Sequence, residues 1–272
     1  MAEKQISENV CEKILIEAYT GSGKSYSIMN IDPEKAMLIQ VVPKRLTFPE
    51  GINWKPWDNK TKTGSTMSVA RLRKAAEENK LSFVTMLKIF INKMISEAKK
   101  EIIIIDDLVY VMTQSFMSNI QEKGFDKWNE LAAEITQVLT IADEIQSDAR
   151  IYYLTHPEED NNGKLKMKTA GKLVDNLVTP EGLFNTVIGV CIKDGKHWFK
   201  VQSTHSSENY KCPMGMFTED LIPSDLEDFD TVLCKRLGIE KTINEEDLLS
   251  RIKNNNINNK KAHEKRIVES YI

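Results

Sequence analysis

A chain of 272 residues with 41% apolar side chains can bury the core of one large α/β domain, or of one domain with a small appendage. Its 37 basic and 40 acidic side chains leave a net charge of -3, so no global positive field draws it to nucleic acid or to an anionic membrane; any such contact has to be a local patch. The four cysteines form no C-x-x-C pair and have no histidine cluster beside them, which argues against zinc and against a disulfide framework.

Residues 1–10 lack the basic-then-apolar order of a signal peptide, and no apolar run approaches the roughly 20 residues needed to span a bilayer. A cytoplasmic protein with no membrane contact is expected. Strands are predicted over 13–18, 36–42, 101–107, 150–156, 186–193 and 197–204, and helices from Lys24, over 68–99 and over 128–145. Alternation of strand and helix implies parallel crossovers, and the consecutive apolar positions 14–16 and 102–105 suit strands buried on both faces. Asp194-Gly195 between the last two runs signals an antiparallel hairpin. The fold class is therefore α/β: a mostly parallel central sheet, helices on both faces and an antiparallel edge hairpin. The loop over 43–66 is too long for an idle connection, and after Gly238 the chain becomes polar.

The stretch after the first strand carries the chemistry. Ala18, Gly21, Gly23, Lys24 and Ser25 make a small-x-x-x-x-Gly-Lys-Ser pattern. In a phosphate loop, backbone N–H groups surround the β-phosphate, glycines permit the close approach, the lysine reaches the β- and γ-phosphates and the serine hydroxyl ligates Mg²⁺. The first position mainly requires a small side chain, so Ala18 is tolerable if its φ is negative. The nucleotide-binding set is Ala18, Thr20, Gly21, Ser22, Gly23, Lys24, Ser25 and Tyr26.

A second half-site should be an acid ending another buried strand. Asp106 follows four isoleucines and, with Ser25, is the expected metal pair. Asp107 fits two roles, a carboxylate that polarises the attacking water or a cap for the next helix. His156 ends the strand over 150–156, where it fits either a sensor of the γ-phosphate or a solvated loop-start histidine. Lys24, Asp106, Asp107 and His156 form the catalytic set. Lys164, Lys166, Lys168 and Lys172 fit contacts to DNA or to a neighbouring subunit's nucleotide, or a solvated hairpin. Trp54 and Trp57 around Lys55 fit base stacking or a cluster that holds the loop down.

The segments AYTGSGKS, IIIIDDLVYVM with SFMSNIQEKGFDKWNEL, YYLTHPEE, MKTAGKLVDNL, TPEGLFNTVIG and KCPMGMF, in that order, resemble a family of phage-encoded ATP-binding proteins related to RecA-like recombinase ATPases. Some members of that family are described as single-strand annealing or recombination proteins. The resemblance runs from about Ile14 to Gly238. It implies a RecA-like P-loop domain over 1–240 followed by a polar tail over 241–272, ATP and Mg²⁺ as cofactors, and action on single-stranded DNA in the host cytoplasm. It further implies a homo-oligomer and a single-strand-binding protein as partner. On the matching positions, Gly23, Lys24 and Ser25 are the phosphate loop, Asp106 the magnesium carboxylate and His156 the sensor, while Lys168 and Lys172 lie in a basic segment facing DNA or a subunit. The chain departs from the pattern at Gln40, near where a RecA relative places a catalytic glutamate, which weakens the case for efficient hydrolysis. Besides the DNA-coupled ATPase, a nucleotide-gated regulatory protein and a small-molecule kinase are the alternatives, the last disfavoured by only seven arginines.

Overall fold

β-Branched runs form the centre of the protein. The computed structural model describes residues 10–118, 126–169 and 179–241. Its strands are β1 (Glu12–Ala18), β2 (Ala36–Gln40), β3 (Thr66–Ser68), β4 (Ile102–Asp106), β5 (Arg150–Thr155), β6 (Pro157–Glu159), β7 (Leu165–Met167), β8 (Thr186–Lys193), β9 (Lys196–Lys200) and β10 (Leu221–Pro223). Eight of them make one sheet in the order β10-β9-β8-β1-β5-β4-β2-β3, and β6 and β7 pair separately. From β8 to β3 every pairing is parallel, whereas β8–β9 and β9–β10 are antiparallel. The hairpin turn between β8 and β9 is made by Asp194 and Gly195, both at positive φ (53° and 68°), as a two-residue turn matched to strand twist requires. The result is the expected α/β core with its edge hairpin. One strand, β5, separates β1 from β4, so the strand that leads into the glycine-rich loop and the Asp106 strand lie two places apart.

Side chains alternate across the sheet. Leu15, Met37, Ile39, Ile103, Ile105, Ile151 and Tyr153 face one core cluster, which they share with residues of α1 (Val69–Glu78), α2 (Phe83–Ser96), α3 (Val109–Ser118) and α4 (Asp126–Leu139). The intervening residues, among them Ile14, Ile16, Leu38, Ile102, Ile104 and Leu154, are equally buried, so β1, β4 and β5 are covered on both faces. Each isoleucine so buried contributes about 1.5–3 kcal/mol.

Two helical expectations need correction. The stretch 68–99 is two helices: Asn79 closes α1, Lys80 adopts φ 56°, and Ser82 caps α2 by accepting from the Thr85 amide at 3.1 Å. The regular helix expected from Lys24 is a succession of turns over 24–30. Here Tyr26 N–H donates to the Gly23 carbonyl and Met29 N–H to the Tyr26 carbonyl, at 3.0 Å each, while the Ser27 hydroxyl donates back to the Lys24 carbonyl at 2.7 Å.

The long loop between β2 and β3 is folded onto the sheet. Its residues 55–57 pair with the outer edge of β3: Thr66 N–H donates to the Lys55 carbonyl at 2.9 Å, and Trp57 N–H to the Thr66 carbonyl at 2.8 Å. At the opposite edge, β10 is three residues long and ends in Pro223. No helix among the described residues is long and apolar enough to cross a membrane.

The chain divides into two compact units, residues 1–227 and 228–272. The helix α5 (Leu226–Leu237), which belongs to the second from Asp228 on, runs to Gly238, at φ 69°, where the Ile239 amide donates to the Cys234 carbonyl at 2.9 Å. Lys241 Nζ then donates to the Asp230 carboxylate at 2.8 Å. The rest of the tail expected over 241–272 lies outside the described residues.

Candidate nucleotide site

β1 delivers the chain into the loop at Ala18, which is buried and whose φ is not positive. Gly21 and Gly23 follow at φ 81° and 99°, angles that a residue with a Cβ rarely adopts. Gly23 is also tightly packed, since a Cβ there would lie 2.5 Å from His197 Nδ1. His197, from the start of β9, donates from Nδ1 to the Ser22 carbonyl at 2.7 Å, and Ser22 Oγ donates to the Tyr19 carbonyl at the same distance. Tyr26 stands beside the His197 ring, with centroids 5.7 Å apart.

Lys24, Asp106 and Asp107 are each more than nine-tenths buried. Because β1 and β4 both end here, Lys24 Nζ reaches the Asp107 carboxylate in close contact and lies 3.7 Å from Asp106 Oδ1. Ser25 Oγ is 3.5 Å from Asp106 Oδ2. Burial raises the pKa of Asp106, opposed by the charge of Lys24.

Asp107 gathers three nitrogen donors. Besides Lys24, its carboxylate takes a bond from Lys44 Nζ at 3.0 Å and faces His156 Nε2 at 3.1 Å. Burial alone would raise its pKa; the hydrogen bond from His156, the charge of Lys24 and the bonds from Lys24 and Lys44 outweigh this and hold it far below the usual carboxylate range. The carboxylate serves cations and not helix amides: the Tyr110 amide bonds instead to the Asp107 carbonyl, at 2.9 Å. Asp107 does so at φ 64°, left-handed backbone in a residue other than glycine.

His156 is anchored. Its Nδ1 lies 2.9 Å from the Ala18 carbonyl, and the edge of its ring meets Tyr110 at 6.4 Å. It therefore ties the end of β5 to the first residue of the phosphate loop and to Asp107. That is a position inside the site and not a solvated loop start.

These groups surround a cavity of about 470 Å³ at the carboxyl ends of the parallel strands, where open α/β sheets hold their ligands. Thr20, Gly21, Gly23, Lys24, Ser25 and Tyr26 line it, with Asp106, Asp107 and His156 opposite. Gln40 lines it too; its backbone is in register with Asp106, and its side-chain amide donates to the Lys44 carbonyl at 2.9 Å. Ala18 and Ser22 act through the carbonyls that hold His156 and His197.

The donor set fits a divalent cation. Asp106 Oδ1 is buried and accepts no hydrogen bond among the described residues, and Ser25 supplies a second hard oxygen beside it. Mg²⁺ is commonly bound by one or two carboxylates plus substrate phosphates, and Asp106 is such a carboxylate. Ser25 and Asp106 would hold the ion, which would neutralise phosphate charge.

The remaining expected residues lie elsewhere. Lys164 is exposed in the turn between β6 and β7, Lys166 pairs with Glu158 across the hairpin at 3.2 Å, and Lys168 is exposed just after β7. Lys172 falls outside the described residues. Trp54 and Trp57 are only 6% and 2% exposed, so they pin the 43–66 loop and offer little face for stacking. Three site residues escape sequence reasoning: His197, Lys44 and Tyr110. His197 has one signal, the Asp-Gly turn, which reads as functional only once β8 is known to run parallel to β1.

Near the site stands an acid of a different kind. Glu17, on β1 beside Thr155 and Gly189, is 1% exposed, and neither carboxyl oxygen has a hydrogen-bond partner among the described residues. Burial, with the charge of Glu181 adding to it, pushes its pKa up to about 8.

No protein-family model matches the chain, and no curated protein matches it. Among solved structures it is similar to a KaiC-like protein from the hyperthermophilic archaeon Pyrococcus horikoshii OT3. The two share 11% identity over 72% of this chain and 80% of that one, with a TM-score of 0.37.

Proposed function

We propose that the protein binds ATP with Mg²⁺ and hydrolyses it while acting on single-stranded DNA, as an oligomer, in recombination, annealing or replication of the phage type. One observation carries the nucleotide half: Lys24 and Ser25 of a glycine-rich loop converge with Asp106 from a strand two places away, at the carboxyl ends of a parallel sheet. Each group has a task in phosphoryl transfer. Loop amides and Lys24 hold phosphate oxygens, Ser25 and Asp106 hold the cation, and His156, fixed through Ala18, is positioned to face the terminal phosphate. Asp107 is the carboxylate placed to orient a water. The DNA half rests on the resemblance of the motif order to phage-encoded ATP-binding proteins and on the basic segments near the site.

Replacing Lys24 with Ala removes the buried cation. A charge-assisted bond is worth about 1.5–3 kcal/mol, so affinity for ATP should fall by roughly tenfold to a hundredfold. Titration with a fluorescent ATP analogue, followed by hydrolysis assays with and without single-stranded DNA, checks both halves. Equal ATP affinity in the variant would remove the site assignment; turnover indifferent to DNA would remove the DNA role.

A second reading draws on Gln40 and Asp107. The residue beside Asp106 on β2 is an amide and not an acid, and the phosphate-binding lysine already holds a carboxylate. Both features suit a nucleotide-gated regulatory protein with slow turnover. Tight ATP binding combined with negligible hydrolysis under all conditions would favour it.

A further inference from the structure

A second cavity, of about 820 Å³, adjoins the nucleotide site and belongs to the loop between β2 and β3. Lys44, Arg45 and Lys55 line it together with Phe48, Ile52 and Trp54, and no acidic side chain is among its lining residues. In a chain with a net charge of -3, that is a local concentration of positive charge. The cavity is framed by structure: residues 55–57 are hydrogen-bonded to β3, the Gly51 amide bonds to the Phe48 carbonyl at 3.0 Å, and Phe48 and Trp54 are 4% and 6% exposed. Ile52, by contrast, is 72% exposed, an apolar side chain held in the open at the cavity wall.

Cations along a groove with an apolar wall suit a ligand that alternates anionic and flat apolar parts, which is the chemistry of a single-stranded polynucleotide. We infer that this groove is where the strand binds, with phosphates at Arg45 and Lys55 and a base against Ile52, and that Lys44 couples it to the nucleotide. The inference rests on the proposed action on single-stranded DNA, and it places the strand on the β2–β3 loop and not on the β6–β7 hairpin. Gln40, Lys44, Arg45 and Leu46 line both cavities. Of these, Lys44 is bonded to Asp107, which also holds Lys24. A nucleotide phosphate arriving at Lys24 competes with Asp107, and any shift of Asp107 changes what Lys44 faces. Coupling of this kind requires that each ligand bind one arrangement better than the other.

The test is fluorescence anisotropy of a labelled oligothymidylate across a salt series, with and without a non-hydrolysable ATP analogue and Mg²⁺. The full-length wild type is compared with Lys55→Glu, Ile52→Asp and the hairpin pair Lys164→Glu/Lys168→Glu. Lys55→Glu should weaken oligonucleotide binding about tenfold or more and flatten the logarithmic salt slope by about 0.7, the value for one lost phosphate contact on a single strand. Ile52→Asp should weaken binding as well, and both variants should keep wild-type affinity for the ATP analogue. The wild-type oligonucleotide affinity should change on adding the analogue, and Lys44→Gln should reduce that change. If the wild type binds oligonucleotide and both groove variants bind it equally well, the groove is overturned while the DNA reading stands; loss in the hairpin pair alone would move the strand there. If the wild type binds no oligonucleotide at low salt with the analogue present, the groove and the DNA reading fall together, and ATP binding is still judged by Lys24→Ala.

Discussion

Asp107 and Glu17 are both buried acids next to the phosphate loop, yet at neutral pH the first is ionised and the second is uncharged. Asp107 is met by Lys24, Lys44 and His156 and stays ionised. Glu17 is met by no cation among the described residues, has Glu181 as its charged neighbour, and at about 8 its pKa keeps it protonated at pH 7. Depth of burial is similar, so partners decide the outcome: an acid without compensating charge is neutralised by a proton, and one with an excess of it becomes an anchor. The same substitution, acid to amide, should therefore have opposite signs at the two positions.

Glu17→Gln gives the largest change. Between the ordinary value of 4.5 and about 8 only the folded chain retains the Glu17 proton, so wild-type stability should fall as pH rises through that window. At pH 7 the deficit is about 3 kcal/mol, which the amide should largely recover while flattening the slope. Urea unfolding at pH 5, 7 and 8 reads it; parallel pH profiles for the two proteins would show that Glu17 titrates normally.

Asp107→Asn should act in the other direction, costing about 2 kcal/mol at pH 7 because the bonds from Lys24, Lys44 and His156 lose their ionised partner. The depressed pKa sets the sign: the wild type holds this stability above the ordinary aspartate value of 3.8 and loses it as the pH falls below that. The variant should lack that part of the acid limb. It should also bind ATP more tightly, since Lys24 no longer has a resident anion. A stable variant with unchanged ATP affinity would break the contrast between the two acids. The smallest effect belongs to an acid in solvent. Glu158 pairs with Lys166 while both side chains are about a third exposed, and Glu158→Gln should shift stability by less than about 1 kcal/mol in a thermal melt.

Local patterns account for what was legible in the sequence. The phosphate loop announces itself because its glycines, lysine and serine must stand at fixed spacing, and Asp106 because four isoleucines precede it. The strands followed from β-branched runs, and the edge hairpin from Asp194-Gly195. What escaped was set by tertiary register. His197 reaches the loop because β8 pairs with β1 in parallel and β9 returns from its end; Lys44 reaches Asp107 because Gln40 and a folded loop bring it there. The missed break at residues 79–82 had only Asn79 and Ser82 as signals, since Lys80 takes left-handed backbone without being glycine. After Lys24, a serine hydroxyl that bonds its own backbone competes with helix formation, and pattern reading alone did not weigh that competition.

The sheet's two margins limit how copies of this chain can assemble. At one margin the protein's own loop already pairs with Thr66 of the three-residue β3, and at the other a three-residue strand stops at a proline. Neither offers the long row of free amides and carbonyls that a neighbouring strand would need. Any oligomer is therefore expected to be built from side-chain faces, leaving the continuous β-ladder within each copy, and crowded solutions of the protein gain protection from edge-seeded aggregation.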